Sequence, residues 1–250
     1  RIYNRALSPA EIQQLYTQGG GKINKTDTTK PTLKTGLVGH WTFDGKDVTA
    51  NTTTDRSGQG NDGTRTAVTT AVGKIGQAMK FNGSTSLVAL GTNSSLNPTS
   101  AFTISSWVKV NTIKNYNQIF IRISTGNVDY YGYLIDAAGT IYAQVSNNSS
   151  VISPTTPAGT ITANKWYHVV ITYNSSLASN NASIFVNGIK LTLSGANTFT
   201  TGLRSFAADA NIGNDPINSG RKMDGDIDDV RVYNRALSQA EITQLYRMGR

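Results

Sequence analysis

The sequence predicts an all-β chain, an antiparallel two-sheet sandwich carrying one short C-terminal helix. Three observations carry this. About a dozen short apolar runs are each bounded by Gly, Asn or Pro, the pattern of strands joined by exposed turns. Hydrophobic residues make up only 38% of the 250, and Thr, Asn, Ser and Gly fill much of the remainder, which suits turns and half-exposed strands rather than a helical bundle. Helix signals appear only at the two ends of the chain.

The first of these is Ser8-Pro9-Ala10-Glu11. Ser8 can cap, Pro9 suits the first helical position, and Glu11 can reach back as the capping-box partner. Ile12, Leu15 and Tyr16 give an apolar face at helical spacing, and Gly19-Gly20-Gly21 ends it. Ser238 to Tyr246 repeats the design: residues 1–19 align with 231–249 at 14 of 19 identical positions, a period of 230 residues. That period is domain-sized. Residues 1–21 therefore read as the tail of a preceding repeat, a strand remnant and a helix. Residues 22–35, polar and without apolar period, read as a linker, and 36–250 as one complete domain. A start at Arg1, with no leader pattern, reads as a piece of a longer protein.

Within the domain, Leu37, Val38, Trp41 and Phe43 mark a first strand, and 78–81 and 87–90 two more. Residues 102–110 alternate cleanly, with Phe102, Ile104, Ser106, Val108 and Val110 on one face. Trp107 then points the other way, toward a face that must be covered or bind something. Strands follow at 118–124, 131–136, 140–146 and 166–173, and Asn187-Gly188 closes a hairpin over 183–191 through a type I′ turn. The closing strand lies within Gly225 to Tyr233.

Composition excludes several functions. There is no Cys, so neither disulfides nor thiolate sites exist. No apolar run approaches the ~20 residues of a membrane span. The formal charge is +8, but the bases are scattered and no stretch interleaves them with aromatics, so a nucleic-acid partner is not expected. Loose attraction to acidic polysaccharide is. A retaining glycosidase uses two carboxylates about 5 Å apart; the only Glu residues, Glu11 and Glu241, both sit at capping-box positions. Neither His40 nor His168 has a Ser/Asp arrangement nearby in sequence, and His168, inside an apolar strand, reads as a packed residue. No enzyme is expected.

Six motifs occur in order: Trp41-x-Phe43-Asp44, the loop Asp55 to Gly63, Phe102 to Val108, Trp166 to Val169, Val186-Asn187-Gly188, and Ile227 to Ser238. Over about residues 36–249 they resemble the laminin-G-like jelly rolls of the concanavalin A-like lectin/glucanase superfamily, found in tandem in bacterial surface proteins. The resemblance implies a jelly roll, and a non-catalytic module for carbohydrate or cell-surface recognition, extracellular and bacterial, with neighbouring repeats as further partners. It leaves open a spacer or protein-adhesion repeat without a glycan ligand, and a hydrolase or lyase of the same fold. It also implies a structural Ca2+ where first and last strands meet, held first by Asp44 and Asp228, with Asn61 and Asp62 contributing oxygens. The alternative for Asp55 to Gly63 is a turn closed by its own backbone bonds. All three Trp lie in fold motifs, so the candidate sugar contacts are Tyr116, Arg122, Asp129, Tyr131, Tyr133 and Tyr142. They fall in a 30-residue window, 115–144, that holds five of the eleven Tyr; Tyr offers sugar both a ring face and a hydroxyl.

Overall fold

A computed structural model describes residues 32–114, 116–147, 150–199 and 203–250. The expected tail over 1–21, and all but the end of the expected linker, lie outside the described residues. Gly36–Arg250 form one compact unit. Its strands are β1 (Leu37–Trp41), β2 (Thr52–Thr53), β3 (Gly63–Thr66), β4 (Thr69–Val72), β5 (Gln77–Asn82), β6 (Leu87–Gly91), β7 (Ala101–Val110) and β8 (Tyr116–Ile123). Then come β9 (Asp129–Asp136), β10 (Ile141–Asn147), β11 (Val151–Ile152), β12 (Trp166–Asn174), β13 (Ala182–Val186), β14 (Ile189–Lys190), β15 (Asp209–Ile212) and β16 (Asp224–Tyr233), followed by helix α1 (Gln239–Met248).

These strands make two eight-stranded sheets. The first runs β14-β13-β12-β7-β16-β5-β4, with β1 also on β16; the second runs β11-β10-β9-β8-β15-β6-β3-β2. Every pairing is antiparallel. The long strand β16 is shared on one side: Asp224 to Ile227 pair with β5, and Val230 to Tyr233 with β1. Between the halves the register against β7 slips at Asp228–Asp229, and Asp229 takes φ 45°. A bulge of this kind re-aims side chains, here two adjacent carboxylates.

The inward faces follow strand alternation. Phe102, Ile104, Val108 and Val110 of β7 enter the core, with Tyr131, Tyr133 and Ile135 of β9 facing them across the sandwich. Phe102 lies 4.8 Å from the Tyr131 ring and 5.4 Å from that of Tyr173. Trp107, on the opposite face of β7, is covered by α1: the Tyr246 ring stacks on it at 5.7 Å. Ser238 and Glu241 form the expected capping box, and Arg235 donates to the Glu241 carboxylate at 3.0 Å. Ile242 and Leu245, both buried, bring roughly 1.5–3 kcal/mol each to this docking.

The hairpin at Asn187-Gly188 has φ of 52° and 79°, as a type I′ turn requires. Five short strands, β2, β3, β4, β11 and β15, were not expected from the sequence. They are Thr-rich or only two to four residues long, so they carry too few alternating residues to register as a period.

Candidate ligand-binding site

The tyrosine-rich window divides by strand parity. Tyr131 and Tyr133 share the inward face of β9, at 1% and 0% exposure. The Tyr131 hydroxyl donates to the Leu96 carbonyl at 2.6 Å, and that of Tyr133 bonds Ser106 Oγ. Burial raises both phenols far above their usual range. Arg122 faces inward beside Tyr131 and is also 1% exposed. Its guanidinium donates to the Asn93 and Phe206 carbonyls at 3.2 Å and to Thr92 at 3.4 Å, and burial lowers its pKa. Asp129, on the same parity, is buried at the strand's start with its amide donating to Ser124 Oγ. The expectation that Arg122, Asp129, Tyr131 and Tyr133 contact sugar is therefore corrected: alternation turns them into the sandwich, away from any surface ligand.

Tyr116 and Tyr142 end on the other face. Tyr142 pairs with Leu134 and Tyr116 with Asp136, the outward residues of β9. Tyr116 is 42% exposed, and the Arg221 guanidinium lies 5.4 Å from its ring centre. Arg221 reaches in from the β15–β16 loop, where it pairs with Asp215 at 3.4 Å. It also pulls down the Tyr130 phenol, which burial raises. Burial, then the Asp136 carboxylate to which it hydrogen-bonds, raises Tyr142. Gln144 and Asn211 complete this outer face, with Asn211 Nδ2 and the neighbouring Gln118 Oε1 buried and unpartnered. Sequence reasoning singled out neither Arg221 nor Asn211, because both lie far along the chain and outside any motif.

The acidic residues also divide. Asp44 Oδ1 accepts from the Gln77 amide at 3.0 Å, and Asp228 Oδ2 from the Lys74 and Ile75 amides at 2.8 Å. Both carboxylates thus meet the β4–β5 turn, between Gly73 and Gly76, whose missing side chains leave them room. Asp228 Oδ1 is buried without a partner; burial, and then the charge of Asp229, push the group up to about 7. Asn61 and Asp62 belong elsewhere. Asn61 Nδ2 donates to the Val38 carbonyl at 2.6 Å, and Asp62 Oδ1 accepts from the Asp55 amide at 2.7 Å. Asp55 takes the Ser57 and Asn61 amides at 2.8 and 3.0 Å. Through these bonds the loop closes on itself, and they tie Asn61 and Asp62, expected as metal ligands, to β1 and to the loop rather than to Asp44 or Asp228. Among the described residues no group of three or more His, Cys, Asp or Glu is placed to hold a metal.

The structure also brings together what the sequence keeps apart. Ser105 Oγ lies 2.9 Å from His168 Nε2, and His40 Nε2 lies 2.8 Å from Asp229. The Ser–His pair is sealed: both residues are 1% exposed, with Tyr246 of α1 stacked 6.1 Å from the imidazole. Asp229 is engaged by Arg231 at 3.1 Å. Glu241 remains in its capping box.

A two-sheet antiparallel sandwich of this kind is an architecture that fits a carbohydrate-binding module. The chain belongs to the laminin-G family of the concanavalin A-like lectin/glucanases superfamily, whose profile matches residues 82–243. No curated protein matches the chain by sequence. Among solved structures, the binding domain of Paraclostridial mosquitocidal protein 1 is similar at TM-score 0.68 and 19% identity, over 86% of this chain and 52% of that one. Domain 4 of AbnA, a GH43 extracellular arabinanase from Geobacillus stearothermophilus solved with arabinotriose, is similar at TM-score 0.60 and 20% identity, over 84% and 98%. The botulinum neurotoxin serotype D ligand binding domain, solved with N-acetylneuraminic acid, is similar at 0.63 and 16%, over 86% and 51%. This chain spans about half the length of the two toxin domains. At these identities the likeness concerns the fold alone. No described helix is long and apolar enough to cross a membrane.

Proposed function

We propose that residues 36–250 are a non-catalytic carbohydrate-binding module of an extracellular, bacterial surface protein. The observation that carries this reading is the outer face of the second sheet, where Arg221 lies over the Tyr116 ring and near Tyr130, with Tyr142 beside Tyr116. Aromatic rings and phenol hydroxyls beside a cation supply the stacking and hydrogen bonding that sugars need. The arabinanase domain and the serotype D toxin domain, solved with arabinotriose and N-acetylneuraminic acid, support glycan as the ligand class. A polysaccharide array tests the reading. Binding should be saturable, and Tyr142→Ala or Arg221→Ala should weaken it about tenfold, the equivalent of ~1.4 kcal/mol. A blank array from folded protein would leave an adhesion or spacer repeat instead, a role that the duplicated closing motif at 1–19 and 231–249 also suits.

The same proposal includes a structural calcium beside the β4–β5 turn. The unpartnered Asp228 Oδ1 and the Asp44 carboxylate are the hard oxygen donors a calcium ion takes, with carbonyls and water completing its shell. Bound there, it would neutralise two adjacent carboxylates at the point where β16 passes from β5 to β1. Calcium, and not magnesium, should raise the melting temperature, and Asp228→Asn should abolish that rise. An unchanged melting curve in calcium would remove the ion from the proposal.

A further inference from the structure

A cavity opens beside the Asp55–Gly63 loop, away from the tyrosine face. Its volume is about 350 Å³, and it lies between Gln59 of the Asp55–Gly63 loop, the segment Ser94–Ser100, and Asn234 at the end of β16. Val38 and Pro98 supply its apolar surface. The remaining lining is hydroxyl and amide: among the described residues no Asp, Glu, Lys, Arg or His borders it. Gln59, Ser94, Thr99, Ser100 and Asn234 are exposed, so their amides and hydroxyls are accessible to a ligand. Asn97 Oδ1 is buried and unpartnered, while its Nδ2 is held by Ser205 Oγ at 2.8 Å.

The wall is rigid because buried polar groups hold it from behind. Tyr131 holds the Leu96 carbonyl and Arg122 those of Thr92 and Asn93. The Asn93 side chain caps the one-turn 3-10 segment Ser94–Leu96. Asn61 ties the Val38 carbonyl to Ser95 Oγ, and Trp41 Nε1 donates to the Asn61 carbonyl at 2.8 Å. Arg122, Tyr131 and Asn61 thus act as positioning residues for a preorganised wall.

We propose that this cavity is a binding site for a neutral, hydroxyl-rich ligand of monosaccharide size, independent of the outer-face glycan site. The volume lies within the range of small-ligand pockets. Amides and hydroxyls match sugar hydroxyls as both donors and acceptors. A charged ligand would lose its hydration there without gaining a counter-charge.

Nitrogen-15 NMR of the full chain tests this, titrating glucose, galactose, arabinose and N-acetylglucosamine, with glucuronate as the charged control. At least one neutral sugar should shift the side-chain amides of Gln59, Asn97 and Asn234 saturably, with a Kd of about 1 mM or tighter. Glucuronate should leave them in place, and Gln59→Ala should weaken the neutral sugar severalfold. Shifts confined to Tyr116, Tyr142 and Gln144 would support the outer face and overturn the cavity site. Shifts confined to the cavity amides would do the reverse. Silence of the cavity amides toward every neutral sugar, or an equal response to glucuronate, would overturn the inference.

Discussion

Acidification tests the seal that α1 places over the first sheet. His168 is buried against Trp107 and Tyr246, and burial pushes its imidazole down to about 4 from 6.5, with Asp229 pulling the other way. The unfolded chain therefore takes up a proton between 6.5 and 4 that the folded chain refuses. This stability is complete above 6.5 and falls as the pH drops to 4, by roughly 3 kcal/mol. Asp229 is separable: burial opposes, but the His40 bond and Arg231 hold it down to about 2, so its contribution is lost only below the ordinary carboxylate range. Asp228, raised to about 7, runs opposite to His168, because the folded state takes up that proton first. The wild-type profile alone is thus uninformative, and the difference from His168→Gln isolates the imidazole. Urea unfolding across this interval should show wild type losing ground to the variant by roughly 3 kcal/mol as acid is added. A difference constant with pH, together with an imidazole titrating near 6.5 by NMR, would refute the seal. The Ser105–His168 pair would then be open to solvent, and the non-catalytic reading would have to be abandoned.

Three further outcomes follow from the same contacts. Tyr131→Phe leaves the Leu96 carbonyl unpaired and should cost about 1–2 kcal/mol in urea unfolding, with broadened amide signals over residues 94–97. Ser238→Ala removes the α1 cap and should cost about 1 kcal/mol, read as faster hydrogen exchange across 239–248 and unchanged exchange in β9. Gly76→Ala places a methyl 2.0 Å from Asp44 Oδ1 at a φ of 64°; it should cost at least about 1 kcal/mol in thermal melts.

Fold was legible wherever a strand is long. Residues 102–110 show five alternating positions, and their two faces appear in the structure as read, Trp107 included. The Thr-rich strands β3 and β4 carry no such contrast, so nothing in the sequence marks them. The site was legible only in part, because composition locates a window and parity decides which residues of it face water. A bulge between Gln118 and Phe120 shifts parity on β8. Asn117 and Arg122 consequently both turn inward, and no one-dimensional reading anticipates such a slip.

Strand β9 shows why one window serves two ends. Its inward residues, Tyr131 and Tyr133, send hydroxyls to the Leu96 carbonyl and to Ser106, fixing the wall of the cavity and the inter-sheet spacing. Of its outward residues, Tyr130 lies near Arg221 and Leu134 pairs with Tyr142. Tyr131→Phe should act through stability and through the cavity; Tyr130→Ala, at a half-buried outward position, should act chiefly on glycan affinity. Tyr131→Phe and Tyr130→Ala form the discriminating pair, since the two residues are adjacent in sequence and take opposite faces. Equal effects of both on polysaccharide affinity would show that the two faces are not energetically separate, and the division of labour drawn along β9 would fail.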